Sequence, residues 1–522
     1  MRQLTALDAQ FLNVETATTA AHVAGLAILD SAGGAVNRDA LAELLLARLH
    51  LSPALSLRLA EVPLGLDHPY WAADPDFDIG NHLFELTLPA PGDDWQLAEA
   101  VAAIHARRLD RAHPLWEMHL INGLAGGRVG VYTKVHHAAI DGVSGAETLA
   151  TLLDLTPEGH LTRRGRSTDG HLTRRGRSAA DADRPRQRTR PATAGASDDH
   201  GDVPGLAGML AGAAMRTATH PVRAVQSVVR AAGDLDAIPL AAGIPGARLI
   251  ARAARLVAGD RHDRPELPSL TVPRTPFNGP ISARRRLSFG SLPLKDVKNV
   301  ARTNGMSVND VVMTLCTSAL RSWLQERDAL PEAPLIVAVP VAVRTAEAKD
   351  LVGNQISAMV APMPTNVPDP RERLQAVGAA MRTAKRRFAL APATWLSELC
   401  SVLPAPLTSL ATPAISRLAG MAFPPINLIV SNVPGPQFPL YLCGGRVLSY
   451  YPLSVLTDMS GGLNITCFSY DGMLDFGVVA CPERMDDVWG LLGHLRTALE
   501  ELSDEGMGDE FRDGVGIDLV AG

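Results

Sequence analysis

Hydrophobic residues recur along the chain at two spacings, which predict two kinds of element. Apolar residues lie three to four positions apart in Ala40–His50, Trp95–Arg108 and Ser307–Gln325, as in amphipathic helices. They alternate with other residues in Arg128–His136, as in a strand with one apolar face. Further strands are predicted at His22–Leu29, Leu83–Leu88, Arg284–Phe289, Leu335–Arg344 and Pro425–Pro436, and further helices at Gly142–Leu155, Leu294–Asn304 and Asp487–Leu502.

Turn and capping residues add detail to this pattern. Asp471-Gly472 joins two apolar runs, Gly462–Phe468 and Met473–Val479, and predicts a hairpin. Ser307 is a predicted helix N-cap, with Asp310 in the first turn where the helix dipole favours an acid. The tail after Glu500 is acidic and is expected to fray. Strands and helices mix in both halves, so we expect two α/β domains, residues 1–158 and 275–522.

The segment between these domains has a different composition. The nonapeptide GHLTRRGRS occurs at residues 159–167 and again at 170–178, and residues 161–190 hold ten Arg against three Asp. A core could not accept such an insertion, so residues 159–202 are expected to form an exposed linker. Two interpretations stay open: a solvated, partly disordered linker, or a segment attracted to anionic lipid.

Two further segments could contact a membrane or pack within the protein. Residues 203–274 are predicted to be helical and to connect the domains; Arg216, Arg223 and Arg230 share one helix face. Such a face can lie on a membrane surface or pack on its own protein. Residues 418–445 carry no charge but five prolines, which would break a spanning helix. They are predicted to be buried strand and loop, with a peripheral membrane surface as the alternative.

Composition excludes several classes of protein. The 522 residues carry a net charge of −6 and only 4% aromatic residues, which argues against a nucleic-acid binder. Five cysteines without a CxxC pair argue against a disulfide framework and favour a reducing compartment. Asp8 precedes any apolar run, which argues against a secretory signal.

The clearest candidate for chemistry is His136-His137-Ala138-Ala139-Ile140-Asp141-Gly142, at the end of a predicted strand. Successive strand residues point to opposite faces, so one histidine should face a cleft while the other packs. Histidine suits general-base catalysis because its pKa lies near neutrality. Gly142 permits a tight turn, and Asp141 could orient an imidazole or pair with an arginine.

The sequence lacks the motifs of a zinc site, a serine hydrolase and an NTPase. No carboxylate or Cys/His cluster lies near the two histidines to complete a zinc shell, so no metal is expected. A GxSxG elbow and a P-loop are also absent, which disfavours a serine hydrolase or an NTPase.

His136–Gly142 matches the HHxxxDG motif of the CoA-dependent acyltransferase superfamily, and further motifs narrow the match. They are Leu4–Phe11, Pro114-Leu115-Trp116-Glu117, Ser307–Val311 and Ser431–Pro436. Together they resemble the actinobacterial wax ester synthase/diacylglycerol acyltransferase family over nearly the whole chain apart from the linker. The resemblance implies two chloramphenicol-acetyltransferase-like domains with mixed sheets, and an active-site tunnel at their interface.

The resemblance also implies roles for individual residues. His137 would be the general base, His136 mainly positional, and Asp141 structural, held by an arginine for which Arg344 is the candidate. Asn309 and Asp310 would line the tunnel or merely cap a helix. Trp116 would be structural or touch an acyl chain, and Gly142 would border the tunnel. The remaining expected supports are Pro114, Asn432, Pro434 and Gly435, while Asp475-Phe476-Gly477 is given a structural role only.

The resemblance implies an acyl-CoA-dependent enzyme that makes triacylglycerol from diacylglycerol, with fatty alcohols as acceptors for wax esters. No cofactor is expected, since acyl-CoA is a substrate. A cytoplasmic enzyme bound peripherally to the inner membrane or to lipid droplets would fit these substrates. Two alternatives remain: a condensation-type acyltransferase using a carrier-bound thioester or a polyketide alcohol, and a non-catalytic lipid-droplet binding protein.

Overall fold

The computed structural model describes residues 2–31, 35–140, 151–159, 209, 271–342, 356–390, 400, 405–422 and 425–512. Several predictions fall outside these residues. They are most of the helix Gly142–Leu155, nearly all of the linker at 159–202, the basic helix face of Arg216, Arg223 and Arg230, and the site residues Asp141, Gly142 and Arg344.

Strands and helices mix along the whole described part of the chain. The strands are β1 (Arg2–Gln3), β2 (His22–Asp30), β3 (Leu57–Ala60), β4 (Tyr70–Ala73), β5 (Leu83–Thr87), β6 (Trp116–Asn122), β7 (Arg128–His136), β8 (Arg286–Pro293), β9 (Leu335–Ala342), β10 (Ile356–Met363), β11 (Leu428–Pro434), β12 (Tyr441–Leu442), β13 (Gly445–Leu453), β14 (Leu463–Tyr470) and β15 (Met473–Ala480). The helices are α1 (Ala6–Asn13), α2 (Arg38–Arg48), α3 (Pro53–Ser56), α4 (Asp94–His105), α5 (Leu294–Thr303), α6 (Val308–Gln325), α7 (Pro370–Leu390), α8 (Ala405–Ala422) and α9 (Trp489–Arg512).

The first six-stranded sheet has the order β12-β13-β2-β7-β6-β5 and is mixed, since only β5 and β6 run parallel. β7 lies inside it, and its alternation separates two packed faces. Val129, Val131 and Val135 pack on one side against Leu41 and Leu45 of α2. The opposite side, which includes Tyr132, packs against α4 and also meets β8 of the second sheet. α4 therefore lies between the two halves of the protein.

The second six-stranded sheet, of order β10-β9-β11-β14-β15-β8, is also mixed. β11 runs parallel to both β9 and β14, and the other pairs are antiparallel. One face buries α6, and the core there also includes residues of α5, α7 and α9. Two mixed sheets with packed helices confirm the predicted fold class.

A crossing strand joins the halves. β12 and β13 come from the predicted C-terminal domain, yet β13 pairs antiparallel with β2 of the first sheet. The Asp475 carboxylate accepts the Tyr450 backbone N–H of β13 at 2.8 Å and the Ser291 hydroxyl of β8 at 2.6 Å. A Cβ on Gly477 would lie 1.9 Å from the Pro452 carbonyl oxygen, so only glycine permits this approach of β13 to β15.

Several local predictions need correction. Residues 418–422 lie in α8 rather than in strand or loop, although that helix contains Pro413. α9 continues to Arg512, beyond the predicted end at Leu502, so residues 503–512 of the tail expected to fray are helical. β8 begins at Arg286, two residues later than predicted, and runs to Pro293. None of the helices in the described segments combines the length and apolarity that crossing a bilayer requires.

Candidate active site

The two histidines of the motif lie at the end of β7, where the chain turns. His136 is the last strand residue and is 1% exposed, while His137 is half-buried. The His136 backbone N–H donates to the Leu115 carbonyl at 2.9 Å, and the His137 N–H donates to the Ala21 carbonyl at 2.9 Å. The pair is therefore fixed from both sides by main-chain hydrogen bonds.

The His136 imidazole faces a buried carboxylate. Its Nδ1 accepts the Ala138 backbone N–H at 3.0 Å, which leaves the ring proton on Nε2. Nε2 lies 3.4 Å from Oε1 of Glu15. Both side chains are nearly inaccessible to solvent, so the His136 imidazole is enclosed by protein and faces Glu15.

Glu15 gathers three partners. Its Oε1 accepts the Ala21 N–H at 3.0 Å, and its Oε2 accepts Nη2 of Arg111 at 2.8 Å. Burial alone would raise the pKa of the Glu15 carboxyl. The contacts with His136, Ala21 and Arg111 outweigh burial and hold that pKa at about 2, so the carboxylate is charged at neutral pH.

The His137 ring is held by a neighbouring aromatic ring. It stacks on Phe11 with centroids 4.0 Å apart and the planes 4° from parallel. Phe11 comes from α1, which begins with a capping box between Thr5 and Asp8. The opening sequence Leu4–Phe11 therefore contains both the capping box of α1 and the aromatic residue that contacts His137.

A layer of neutral histidines lies on the His136 face of β7. His22 is opposite His136 in the β2–β7 register, and its ring lies edge-on to His105. Burial, followed by neighbouring positive charges, lowers the pKa of His105 to about 3 and that of His22 well below its usual value. His105 Nδ1 lies 2.7 Å from the Tyr132 hydroxyl. Both imidazoles are therefore uncharged at neutral pH.

Trp116 fills the core of the first domain. It is 1% exposed, its Nε1 donates to the Leu55 carbonyl at 2.9 Å, and its ring stacks on His82. Its backbone N–H donates to the Pro114 carbonyl at 2.8 Å, next to the Leu115 carbonyl that binds His136. This placement favours the structural alternative for the Pro114–Trp116 motif.

Two motifs from the second half meet through their side chains. Nδ2 of Asn432 donates to Oδ1 of Asn309 at 3.2 Å, and the Cys467 thiol donates to Oδ1 of Asn432 at 3.2 Å. Asp310, by contrast, closes the capping box with Ser307 at the start of α6. The structure thus joins Asn309 to the Ser431–Pro436 motif and gives Asp310 the capping role.

The turn after β11 packs closely against β14. The Gly435 N–H donates to the Ser469 hydroxyl at 3.1 Å, directly after Pro434, which ends β11. A Cβ on Gly435 would lie 2.3 Å from the Phe468 ring. Phe468 packs into the core of the first domain, so this turn also ties the halves together.

Two residues around the histidines, Glu15 and Arg111, were not predicted from the sequence, nor was the stacking of Phe11 on His137. Phe11 belongs to the opening motif, but the motif alone gave it no partner. Glu15 and Arg111 are ordinary charged residues until folding brings them together. Among the described residues no group of three or more His, Cys, Asp or Glu side chains could hold a metal ion.

Comparison with known proteins adds independent information. Residues 4–312 match the family model described as the wax ester synthase/diacylglycerol acyltransferase catalytic domain, and residues 352–503 match the C-terminal domain of the same family. A Mycobacterium tuberculosis protein, provisionally named a diacylglycerol O-acyltransferase, is 33% identical over 96% of this chain and 90% of its own.

Solved structures show the same similarity. The wax ester synthase/diacylglycerol acyltransferase from Marinobacter aquaeolei VT8 superposes with a TM-score of 0.64 at 25% identity, over 97% of this chain and all of that one. The first condensation domain of the CDA synthetase superposes with a TM-score of 0.51 at 14% identity, over 97% and 96% of the two chains. At that identity the second likeness concerns the fold alone.

Proposed function

Because the chain belongs to the wax ester synthase/diacylglycerol acyltransferase family, we propose that it uses His137 to transfer an acyl group from acyl-CoA to a lipid hydroxyl. It is an acyltransferase of this family. Diacylglycerol is the acceptor that yields triacylglycerol, and long-chain alcohols are the second acceptor class, which yields wax esters.

The observation that carries this proposal is the contrast between the two histidines. His136 is turned to Glu15 and is 1% exposed, whereas His137 is half-buried with its ring braced by Phe11. A general base must be accessible on one side and fixed in orientation on the other. His137 meets both conditions, and His136 meets only the second.

The reaction follows from this assignment. A His137 ring nitrogen takes the proton of the acceptor hydroxyl, and the oxygen attacks the thioester carbonyl. The tetrahedral intermediate collapses, the ester forms, and the CoA thiolate leaves with the proton returned by the imidazolium. General-base catalysis of this kind contributes roughly 10²–10⁴-fold. No acyl-enzyme forms, so the kinetics should be sequential, and no cofactor is needed.

The other motif residues have supporting roles in this proposal. Asn309 and Asn432 connect the start of α6 to β11 through the hydrogen bond between their side-chain amides, and Asp310 caps α6. The family resemblance implies a structural Asp141 with Arg344 as its candidate partner, both outside the described residues, and Asp141→Asn should then lose both stability and activity. An Asp141→Asn enzyme with wild-type melting would contradict that pairing.

We also propose that the enzyme works in the cytoplasm at a lipid surface, the inner membrane or a lipid droplet, because both acceptors are lipids. α8 offers one candidate surface: it carries a single charged residue, Arg417, and its Leu407 side chain is 54% exposed. α8 packs on α1, where Thr412 contacts Gln10, one residue before Phe11. Lipid contact at α8 would therefore lie one helix away from His137.

The deciding experiment measures CoA release from palmitoyl-CoA with diacylglycerol or hexadecanol, for the wild type and His137→Ala. Release that depends on diacylglycerol and falls by roughly 10²-fold or more in the variant supports triacylglycerol synthesis with His137 as the base. A preference for hexadecanol assigns wax ester synthesis instead. Near-normal release by a folded His137→Ala enzyme refutes the base, and no release with either acceptor favours a carrier-bound donor or a lipid coat protein.

A further inference from the structure

We infer that Glu15 is a positioning residue whose single carboxylate sets the orientation of both motif histidines. Two paths start at its Oε1. One path runs directly to Nε2 of His136 at 3.4 Å. The other runs through residue Ala21, whose backbone N–H donates to Glu15 at 3.0 Å and whose carbonyl accepts the His137 N–H at 2.9 Å. This inference rests on the proposed function of His137.

The first path fixes the tautomer of His136. Because Nδ1 accepts the Ala138 N–H, the proton must lie on Nε2, where it faces Oε1 of Glu15 at 3.4 Å. A wrong tautomer would set a ring N–H against the Ala138 N–H. The turn that follows His136 would then lose the contact that shapes it.

The second path fixes the backbone of His137. The segment between α1 and β2 has no regular secondary structure of its own, so its geometry depends on side-chain contacts. Glu15 closes that segment by binding the N–H of Ala21, one residue before β2. The Ala21 carbonyl then meets His137 from a fixed position.

Arg111 keeps the carboxylate in place. Its Nη2 donates both to Oε2 of Glu15 at 2.8 Å and to the Leu12 carbonyl at 2.7 Å, and Leu12 lies in the last turn of α1, next to Phe11. The same guanidinium group thus connects the support of the His137 backbone with the helix that stacks on its ring. The charged and titratable groups around the pair are Arg111, His22 and Lys134.

The test compares Glu15→Gln with Asp154→Asn. Asp154 is a matched control, since it is a buried carboxylate paired with Arg48 at 2.7 Å but has no contact with the histidines. Glu15→Gln should lower kcat by roughly 10- to 100-fold while KM for palmitoyl-CoA changes less than about threefold, because misplacing a catalytic group costs turnover more than binding. The acidic limb of the kcat–pH profile of Glu15→Gln should move to lower pH, since the variant lacks a negative charge near the base. Asp154→Asn should lower the melting temperature only.

A second readout does not depend on which residue is the base. Hydrogen exchange of the backbone amides over residues 136–140 should speed up in Glu15→Gln and stay unchanged in Asp154→Asn. If His137→Ala remains active but Glu15→Gln still speeds up this exchange, the base assignment fails and the positioning inference stands. If Glu15→Gln leaves kcat, the pH profile and this exchange unchanged, Glu15 is a structural residue and the inference is wrong.

Arg111→Lys covers the case in which Glu15→Gln does not fold. Lysine keeps the counter-charge but cannot bridge Glu15 and the Leu12 carbonyl with one planar group. A fall in kcat with a near-normal melting temperature supports the inference. A fall in melting temperature with unchanged kcat contradicts it.

Discussion

The Phe11 ring lies 4.0 Å from the His137 imidazole and 4° from parallel to it, so one face of the proposed base is covered by an aromatic side chain. Phe11→Leu keeps an apolar neighbour but removes the flat surface against which the ring is held. We expect kcat to fall about tenfold with little change in KM, because the ring gains rotational freedom. Steady-state kinetics with palmitoyl-CoA measure this.

Phe84→Leu is the matched control for that stack. Phe84 also lies against a histidine, His119, at 4.9 Å, but it belongs to β5, the edge strand of the first sheet, away from His137. Equal losses of kcat in the two variants would show that the stacking on His137 has no special importance.

The amide pair of Asn309 and Asn432 should be energetically coupled. We expect a double-mutant cycle with Asn309→Ala and Asn432→Ala to give a coupling free energy of about 0.5–1.5 kcal/mol, the usual range for one net hydrogen bond. Urea unfolding of the wild type, both single variants and the double variant supplies the four free energies. Strict additivity would mean that the 3.2 Å contact contributes nothing.

Asp475 should make stability fall as pH rises through weakly acidic values. Burial raises the pKa of this carboxyl from 3.8 to about 6, despite hydrogen bonds from Ser291 and Tyr450. Between these two values the folded protein binds more protons than the unfolded chain, so the free energy of unfolding falls as pH rises from about 4 to 6. The effect should be on the order of 2 kcal/mol, and Asp475→Asn should remove it.

Chemical denaturation at several pH values between 4 and 7 checks this difference. The carboxylate of Glu15, whose pKa is lowered, contributes its stabilisation above pH 4.5 and loses it toward pH 2 in both proteins. It therefore cancels in the comparison. Parallel stability curves for the wild type and Asp475→Asn would contradict the prediction.

Gly477→Ala should strongly destabilise the protein. The added Cβ would meet the backbone of Pro452 rather than a movable side chain, so β13 or β15 must shift. We expect a loss of about 2 kcal/mol or more, read from thermal melting. In Gly493→Ala, where no atom lies within 4 Å of the new Cβ, helix propensity should instead leave stability equal or higher by up to about 1 kcal/mol.

Local patterns predicted the elements near the site well. The strand Arg128–His136 has the predicted bounds, Ser307 caps α6, and Asp471-Gly472 turns the hairpin of β14 and β15. Each of these depends on residues a few positions apart, and sequence spacing reports such short-range physics directly.

Contacts between distant segments were not predictable in the same way. Glu15 meets Arg111 across 96 positions, and β13 joins β2 across more than 400. An alternating strand pattern does not say which edge the strand joins. Likewise, the charge-free, proline-rich sequence of residues 418–445 predicted strand and loop, yet residues 418–422 belong to α8.

The crossing strand β13 sets the order in which the protein can mature. Until the ribosome has added residues 445–453, β2 presents a row of unpaired backbone groups along one edge of the first sheet. A nascent chain of the first 160 residues can therefore form β2, β5, β6 and β7 but carries an open edge that invites pairing with other chains. Closure of this edge must wait for β13, so a product truncated before residue 445 keeps an open sheet edge in its first half.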